Sequence, residues 1–394
     1  MYDFTTCPDR RNAAAEKYND MLKKCPNVPE GIIPLSVADM EFKNAPEITE
    51  GLSEYLKDTV LGYTSPTEGF VEAVVSWLRD RHSYEIKREW LAVSDGVVPA
   101  IGDLIRGMTK EGDGIIILSP VYYPFKGSIE RNNRKAIEID LLYDGHEYTI
   151  DFESLEKAAA DENNKLIIFC NPHNPVGRVW KKDELRRVYD ICVKNDVFII
   201  DDEIHNDLIM PGFEHTVLAN IAEDAGKHMA VCIAPSKSFN LAGMQTSVVV
   251  IEDHEKRRAF WKSRSQSFRY DVNILGMEAC RLAYTKCEKW LDGCIEVIHQ
   301  NAEFLKNFMN EHFPEVVVYP LEGTYLMWCD FNAWGMSAEE LEKFMINEAY
   351  LFLDEGYIFG DSGKGFERFN LACPKYVLED ALNRLLEARK RMLG

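Results

Sequence analysis

Through the middle of the chain, short apolar runs alternate with longer segments in which apolar residues recur every three or four positions. Runs of four to eight apolar residues read as strands, and the 3.6-residue spacing reads as helices with one face against a core. The strands placed in this way are Gly114–Leu118, Ala136–Asp140, Leu166–Cys170, Val197–Ile200, Met229–Ala234 and Thr246–Ile251. Helices over Phe70–Arg81, Val97–Met108, Phe152–Ala160 and Lys182–Lys194 separate most of them. Strand, crossover helix and strand in succession predict a mostly parallel sheet between helices.

After this stretch the pattern changes. Long helices over Asn273–Tyr284 and Leu291–Glu311 lead to strands Val316–Tyr319 and Thr324–Cys329, then to helices Ala338–Glu348 and Val377–Met392. This predicts a smaller α/β unit, joined by the N-terminal forty or so residues. At 394 residues the chain exceeds the size at which one core keeps growing. Two domains are expected, a large one over 46–285 and a small one from 1–45 with 286–394. No internal repeat, linker or low-complexity tract interrupts the chain, so the two should be closely packed.

Composition narrows the field. With 46% apolar and 28% charged residues the chain reads as an ordinary soluble globular protein. Its formal charge of -20 repels nucleic acid and anionic membrane alike, and suits a small-molecule enzyme. The segment Met1–Pro8 has no basic region followed by an apolar stretch, and no later run stays apolar long enough to span a bilayer. The expectation is a cytoplasmic protein. Ten scattered cysteines do not form a compact disulfide framework.

Cys280, Cys287 and Cys294 recur every seven residues and invite a metal reading. Seven helical residues advance about 10.5 Å, whereas two thiolates on one zinc lie within about 4.6 Å. Half-buried positions along one helix face are the expectation, and no metal site is assigned.

Chemistry enters at the ends of three consecutive strands. Asn174 lies in Asn171–Gly177, just after Leu166–Cys170; Asp202 follows Val197–Ile200; Lys237 sits in Ala234–Gly243, just after Met229–Ala234. The carboxyl edge of such a sheet is where ligands bind. Asp201 rivals Asp202, since adjacent strand-end residues point to opposite faces. Ser94–Pro99 opens the helix Val97–Met108, and a helix N-terminus is a ready anion site. Gly96, Val97 and Ser236 are therefore candidate anion contacts.

The motifs D-E-I-H (202–205), N-P-H-N-P-V-G (171–177), A-P-S-K-S-F-N-L-A-G-x-Q (234–245) and R-F-N-L-A-C-P (368–374) resemble those of the fold-type I pyridoxal-phosphate enzymes. That is the aspartate aminotransferase superfamily, and the wording is closest to its MalY/PatB subgroup of C-S β-lyases, which includes cystathionine β-lyase and cystalysin. The resemblance covers nearly the whole chain. It implies the fold-type I transferase architecture and pyridoxal 5'-phosphate as cofactor, with Lys237 as the Schiff-base lysine and general base at the substrate's Cα. It selects Asp202 over Asp201 as the partner of the pyridine nitrogen.

Further roles follow from the same resemblance. Tyr122 stacks on the ring, and Tyr123 lines the site and assists proton transfer. Asn174 and His205 reach the cofactor's phenolic oxygen, His205 standing where aminotransferases usually place a tyrosine. Gly96, Val97 and Ser236 hold the phosphate. Gln245 replaces a usual arginine, which leaves less positive charge there. Tyr63 is contributed across a homodimer interface. Arg368 clamps the substrate carboxylate, a task suited to the guanidinium fork. Asn174 and the backbone of Ala38, in Ser36–Met40, also meet the substrate, the backbone mattering more than the charge of Asp39.

The expected activity is β-elimination from L-cystathionine, L-cysteine or a related S-substituted cysteine. An aminotransferase is the first alternative, because the same residues serve both. A cofactor-containing regulatory protein is the second, and the chain has no appended helix-turn-helix or basic arm to support it.

Overall fold

The computed structural model describes residues 2–267 and 272–393. In chain order its strands are β1 (Leu91–Ser94), β2 (Gly114–Ser119), β3 (Lys135–Asp140), β4 (Leu142–Tyr143), β5 (Tyr148–Thr149), β6 (Asn164–Cys170), β7 (Phe198–Asp202), β8 (Met229–Ile233), β9 (Ser247–Val250), β10 (Val317–Val318), β11 (Leu326–Asp330), β12 (Asp354–Glu355) and β13 (Phe366–Asn370). Seven of them form one sheet in the order β1-β9-β8-β7-β6-β2-β3. All its pairings are parallel except those of β9, which runs against both neighbours. The mostly parallel sheet expected from the alternation of runs is present.

The central strands are apolar throughout because helices cover both faces. Alternate residues of β2 divide accordingly. Ile115 and Ile117 pack with Ile101, Leu104 and Ile105 of the helix Val97–Met108, while Ile116 and Leu118 join Leu185 and Val188 of the helix Lys182–Lys194 on the other face. Each such side chain contributes about 1.5–3 kcal/mol of burial. At one edge, β3 exposes Lys135, Glu138 and Asp140 in part or wholly, charges that discourage further strand pairing.

Strands β10, β11, β13 and β12 form a second, antiparallel sheet in that order. The N-terminal residues pack against it: Leu35 donates its N–H to Phe352 and accepts that of Asn370. Tyr18, Met21 and Ile32 form a small core with Ile346 and Phe352. The ribbon β4–β5, which follows the large sheet's edge strand, carries Tyr148 into the second sheet's aromatic cluster, 4.9 Å from Tyr319. Tyr148 Oη there accepts the indole N–H of Trp328 at 3.2 Å. Residues of both sheets belong to one continuous apolar core.

The three cysteines spaced by seven do not share a helix face. Cys280 lies on the helix Ile274–Lys286, Cys294 on the helix Glu288–His312, and Cys287 at the break between them, and all three are fully buried rather than half-buried. The break turns the chain, so a heptad in sequence is not a stripe in space. All ten cysteines are free, and among the described residues no helix is long and apolar enough to cross a membrane.

Candidate active site

β6, β7 and β8 are neighbours and parallel, so the residues that follow them emerge side by side. They meet the N-terminus of the helix Val97–Met108 around a cavity of about 170 Å3. Gly96, Val97, Tyr122, Asn174, Asp202, His205, Ser236 and Lys237 all line it, as do Ala38, Cys170 and Gln245. A vestibule of about 460 Å3 adjoins this cavity and contains Tyr123 and Arg368. Ala38, Tyr122 and Lys237 border both. Tyr63 is not brought to the site within one chain and is 97% exposed.

Lys237 stands in a single helical turn, Pro235–Ser238, entered through Pro235 at its first position. Its amine donates to the carbonyl of Ala38 at 2.8 Å. Burial in the crevice, reinforced by Arg368, lowers its pKa to about 8, with Asp39 and Asp202 opposing the shift. The next residue, Ser238, donates to Asp207 at 2.6 Å, and Asp207 also accepts from the indole of Trp77 at 3.1 Å. The turn is thus anchored from behind.

Asp202 is 3% exposed, and burial pushes its carboxyl up to about 7 against the pull of the Ile204 N–H, 3.1 Å away, and of Lys237. A carboxylate enclosed this way is suited to a cationic partner in the cavity. Asp201 faces the other way; burial and the adjacent Glu203 hold its carboxyl well above the usual range.

Gly96 precedes the helix with φ +142, a conformation that L side chains rarely adopt, and a Cβ there would lie 3.3 Å from Pro99. The helix has no side-chain cap, so its first N–H groups are available to a ligand. Ser236 and Gln245 line the same cavity.

His205 is 2% exposed, lies edge-on to Tyr325 at 6.0 Å, and has no partner for Nδ1 among the described residues. Burial, Lys237 and Arg368 hold its pKa well below the ordinary value, so it is neutral. Asn174 Oδ1 accepts from Arg368 Nη1 at 2.7 Å, which leaves the Asn174 amide nitrogen as a donor. The Tyr122 ring is fixed edge-on to Phe125 at 5.7 Å, and burial raises its hydroxyl pKa. Tyr123 is half exposed at the vestibule and its pKa is also raised by burial.

Three contributors were not picked out from the sequence. Tyr325 donates to Ala38 O at 2.8 Å, Asn370 Nδ2 donates to Val37 O and Asp39 O at 2.7 Å each, and Asp354 accepts from Val37 N–H at 3.0 Å. Together they hold the backbone of 37–39 over Lys237. Asn370 fell within the quoted R-F-N-L-A-C-P motif; Tyr325 fell within the expected strand Thr324–Cys329; nothing near Asp354 distinguished it from other surface acids. The charge of Asp39, which borders the vestibule, is taken up by Arg10 at 2.6 Å and Lys17 at 2.8 Å, while Ala38 of the same loop lines the cavity.

An amine of lowered pKa, a buried carboxylate, a neutral buried imidazole and an uncapped helix N-terminus fit a planar, phosphorylated aldehyde with a cationic ring nitrogen. The chain also has close relatives. A model of the family described as aminotransferase class I and II matches residues 30–385. Cystathionine beta-lyase PatB of Bacillus subtilis (strain 168) is 36% identical over 356 residues, which span 90% of this chain and 92% of that protein. Among solved structures, cystalysin from Treponema denticola, which contains a pyridoxal 5'-phosphate cofactor, has a TM-score of 0.98 and 49% identity over 100% of both chains. The pyridoxal-phosphate-bound C-S lyase from Staphylococcus hominis has a TM-score of 0.90 and 30% identity over 98% of each chain. The sheet order, the site and these likenesses agree: this chain belongs to the class I and II aminotransferase family.

Proposed function

We propose that this chain is a pyridoxal 5'-phosphate-dependent C-S β-lyase that cleaves L-cystathionine, L-cysteine or a related S-substituted cysteine into pyruvate, ammonia and a thiol. The observation that carries this reading is the single cavity in which Lys237, Asp202, Asn174, His205 and the N-terminus of the helix Val97–Met108 converge. Likeness to PatB, cystalysin and the staphylococcal lyase supports the lyase branch of the family.

Lys237 would hold the cofactor covalently and Asp202 would face its ring nitrogen. Gly96, Val97 and Ser236 would take its phosphate, Tyr122 its ring face, and Asn174 with His205 its phenolic oxygen. When bound, the cofactor supplies an electron sink for the pair of electrons left when the substrate's Cα proton is removed. Lys237 Nζ is the base that takes that proton, and its lowered pKa raises the neutral fraction near neutral pH well above that of an ordinary lysine. Arg368, with Asn174 beside it, binds the substrate carboxylate and so orients Cα toward Lys237. Tyr123, at the vestibule, would assist proton transfer. The neutral His205 adds no competing charge.

In this reading residues 46–285 form the cofactor-holding unit, and 1–45 with 286–394 the smaller one. The active form is a homodimer in which each chain lends Tyr63 to its partner's phosphate site. Ten free cysteines and the acidic surface suit the cytoplasm.

The test is to incubate the cofactor-loaded protein with L-cystathionine and no keto acid. Sustained, equimolar pyruvate, ammonia and homocysteine are expected. A reaction that stops after one equivalent, with the cofactor left in its amine form, would instead identify an aminotransferase.

A further inference from the structure

Arg368 is 3% exposed, and two of its three nitrogens have partners. Nη1 donates to Asn174 at 2.7 Å, Nη2 donates to Asp354 Oδ2 at 2.5 Å, and Nε is buried with no partner among the described residues. The guanidinium lies over the Phe359 ring at 4.6 Å, which confines further contacts to its rim. A carboxylate seeking two parallel hydrogen bonds needs two adjacent donors, either Nε with Nη2 or Nη1 with Nη2. Nη2 belongs to both edges, and the Asp354 carboxylate already stands against it, so a second carboxylate on either edge meets that charge.

The same Asp354 oxygen accepts the Val37 N–H at 3.0 Å. Val37 has φ +52 and begins the turn whose Ala38 carbonyl receives the Lys237 amine. Asp354 keeps 14% side-chain exposure and lines the vestibule together with Arg368 and Lys237, so an incoming amino acid reaches it. One carboxylate oxygen is therefore shared between a buried guanidinium and the loop over the reactive amine.

We propose that Asp354 is a resident carboxylate which the substrate's α-carboxylate replaces at Arg368, making Asp354 a specificity-determining residue. The proposal rests on Arg368 being the carboxylate clamp. Before substrate arrives, Asp354 supplies the counter-charge that a buried guanidinium requires. When substrate binds, one ionic contact is exchanged for another, and a ligand without a carboxylate cannot make the exchange. Release of Nη2 frees the shared oxygen, so occupancy of the clamp is passed to the Val37–Asp39 turn.

Calorimetric titration of the cofactor-loaded protein tests this with L-alanine, which has a carboxylate but no leaving group, and with L-alaninamide. Asp354→Asn keeps an acceptor oxygen for Val37 and Arg368 and removes the competing charge. It is expected to bind L-alanine about fivefold more tightly, the difference between a charged and a neutral partner, with the amide unchanged. Glu355→Gln removes a neighbouring vestibule charge that Lys24 already holds at 2.5 Å, and is expected to change neither. Unchanged or weaker alanine binding in Asp354→Asn, or an equal gain in Glu355→Gln, would overturn the proposal. Asp354→Ser gives the same comparison if the Asn variant does not fold. Elimination plays no part in these titrations. The expected pattern without thiol release from cystathionine would refute the lyase reading alone, whereas Arg368→Ala that still prefers alanine to its amide would refute the clamp and this proposal with it.

Discussion

The Lys237 amine lies 2.8 Å from the Ala38 carbonyl, which belongs to a residue 199 positions earlier in the chain. The contact ties the reactive turn to the N-terminal loop and encloses the amine, whose pKa falls to about 8. Only the neutral amine attacks an aldehyde. In protein stripped of cofactor, the rate of pyridoxal 5'-phosphate uptake should rise with pH through about 8 and then level off. Stopped-flow absorbance reads this directly, and a rate still climbing near the ordinary lysine value would contradict the enclosure.

The same shift has a sign for stability. Between about 8 and 10.5 the unfolded chain binds more protons at Lys237 than the folded chain does, so this residue's contribution to stability increases with pH across that window. Lys237→Met should remove that increment from the stripped protein. Parallel urea titrations of both proteins at several pH values measure it. Borohydride reduction of the loaded enzyme should place the cofactor on the peptide containing Lys237, and in the Met variant on no peptide.

Asp202→Asn removes the buried charge assigned to the ring nitrogen. Loss of one partner from a buried pair costs about 3 kcal/mol or more, so turnover should fall at least about a hundredfold. Asp201→Asn should leave turnover near that of the parent, because Asp201 does not line the cavity. Equal losses in the two variants would show that the strand end as a whole, not the face, matters.

Arg368→Ala should raise KM for amino acid substrates about thirtyfold, corresponding to about 2 kcal/mol for truncating a buried charged contact. The cofactor's absorbance should stay that of the parent. Steady-state kinetics alongside a spectrum separates the two effects; an unchanged KM removes Arg368 from the clamp.

Val60, Leu61 and Tyr63 are 86%, 62% and 97% exposed in the single chain, a grouping that a second copy would cover. Sedimentation should report a dimer. Tyr63→Ala should weaken cofactor affinity while leaving the far-ultraviolet spectrum unchanged. A monomer that retains the cofactor as tightly would rule out the exchange.

Much of the large sheet was legible because its strands are buried on both faces and read as uninterrupted apolar runs. The helices Val97–Met108 and Lys182–Lys194 match their predicted bounds, each having a sharp start and a steady apolar stripe. β1 was missed: four residues after a charged turn carry too little periodicity. β13 was missed for a different reason. Its sequence Phe-Glu-Arg-Phe-Asn suggests an exposed segment, yet Glu367 and Arg368 are both buried, because tertiary partners rather than residue type decide their burial. The residues on the strand ends of the site could be placed from sequence, since a strand's end fixes where its next residue emerges. Tyr325 and Asp354 could not, because their roles depend on partners far away in sequence, the 37–39 loop for both and Arg368 for Asp354.

The aromatic ribbon β4–β5 limits how the crevice can move. Tyr148 is held between Tyr319 and Trp328, and the backbones of Leu208 and Met210 bond to those of Thr324 and Glu322 nearby. These stitches tie the ribbon and the segment after β7 to the second sheet and the loop leading into it. A hinge swing of the two sheets would have to pull a tyrosine out of a dry aromatic stack, and displacement of residues 37–39 would have to break the bonds from Asp354, Tyr325 and Asn370 and the pairs of Asp39 with Arg10 and Lys17. The flank of the site is therefore a rigid frame, and the rate of substrate entry should respond to changes at Val37 and Asp354, which meet at the vestibule, more than to changes in the interior.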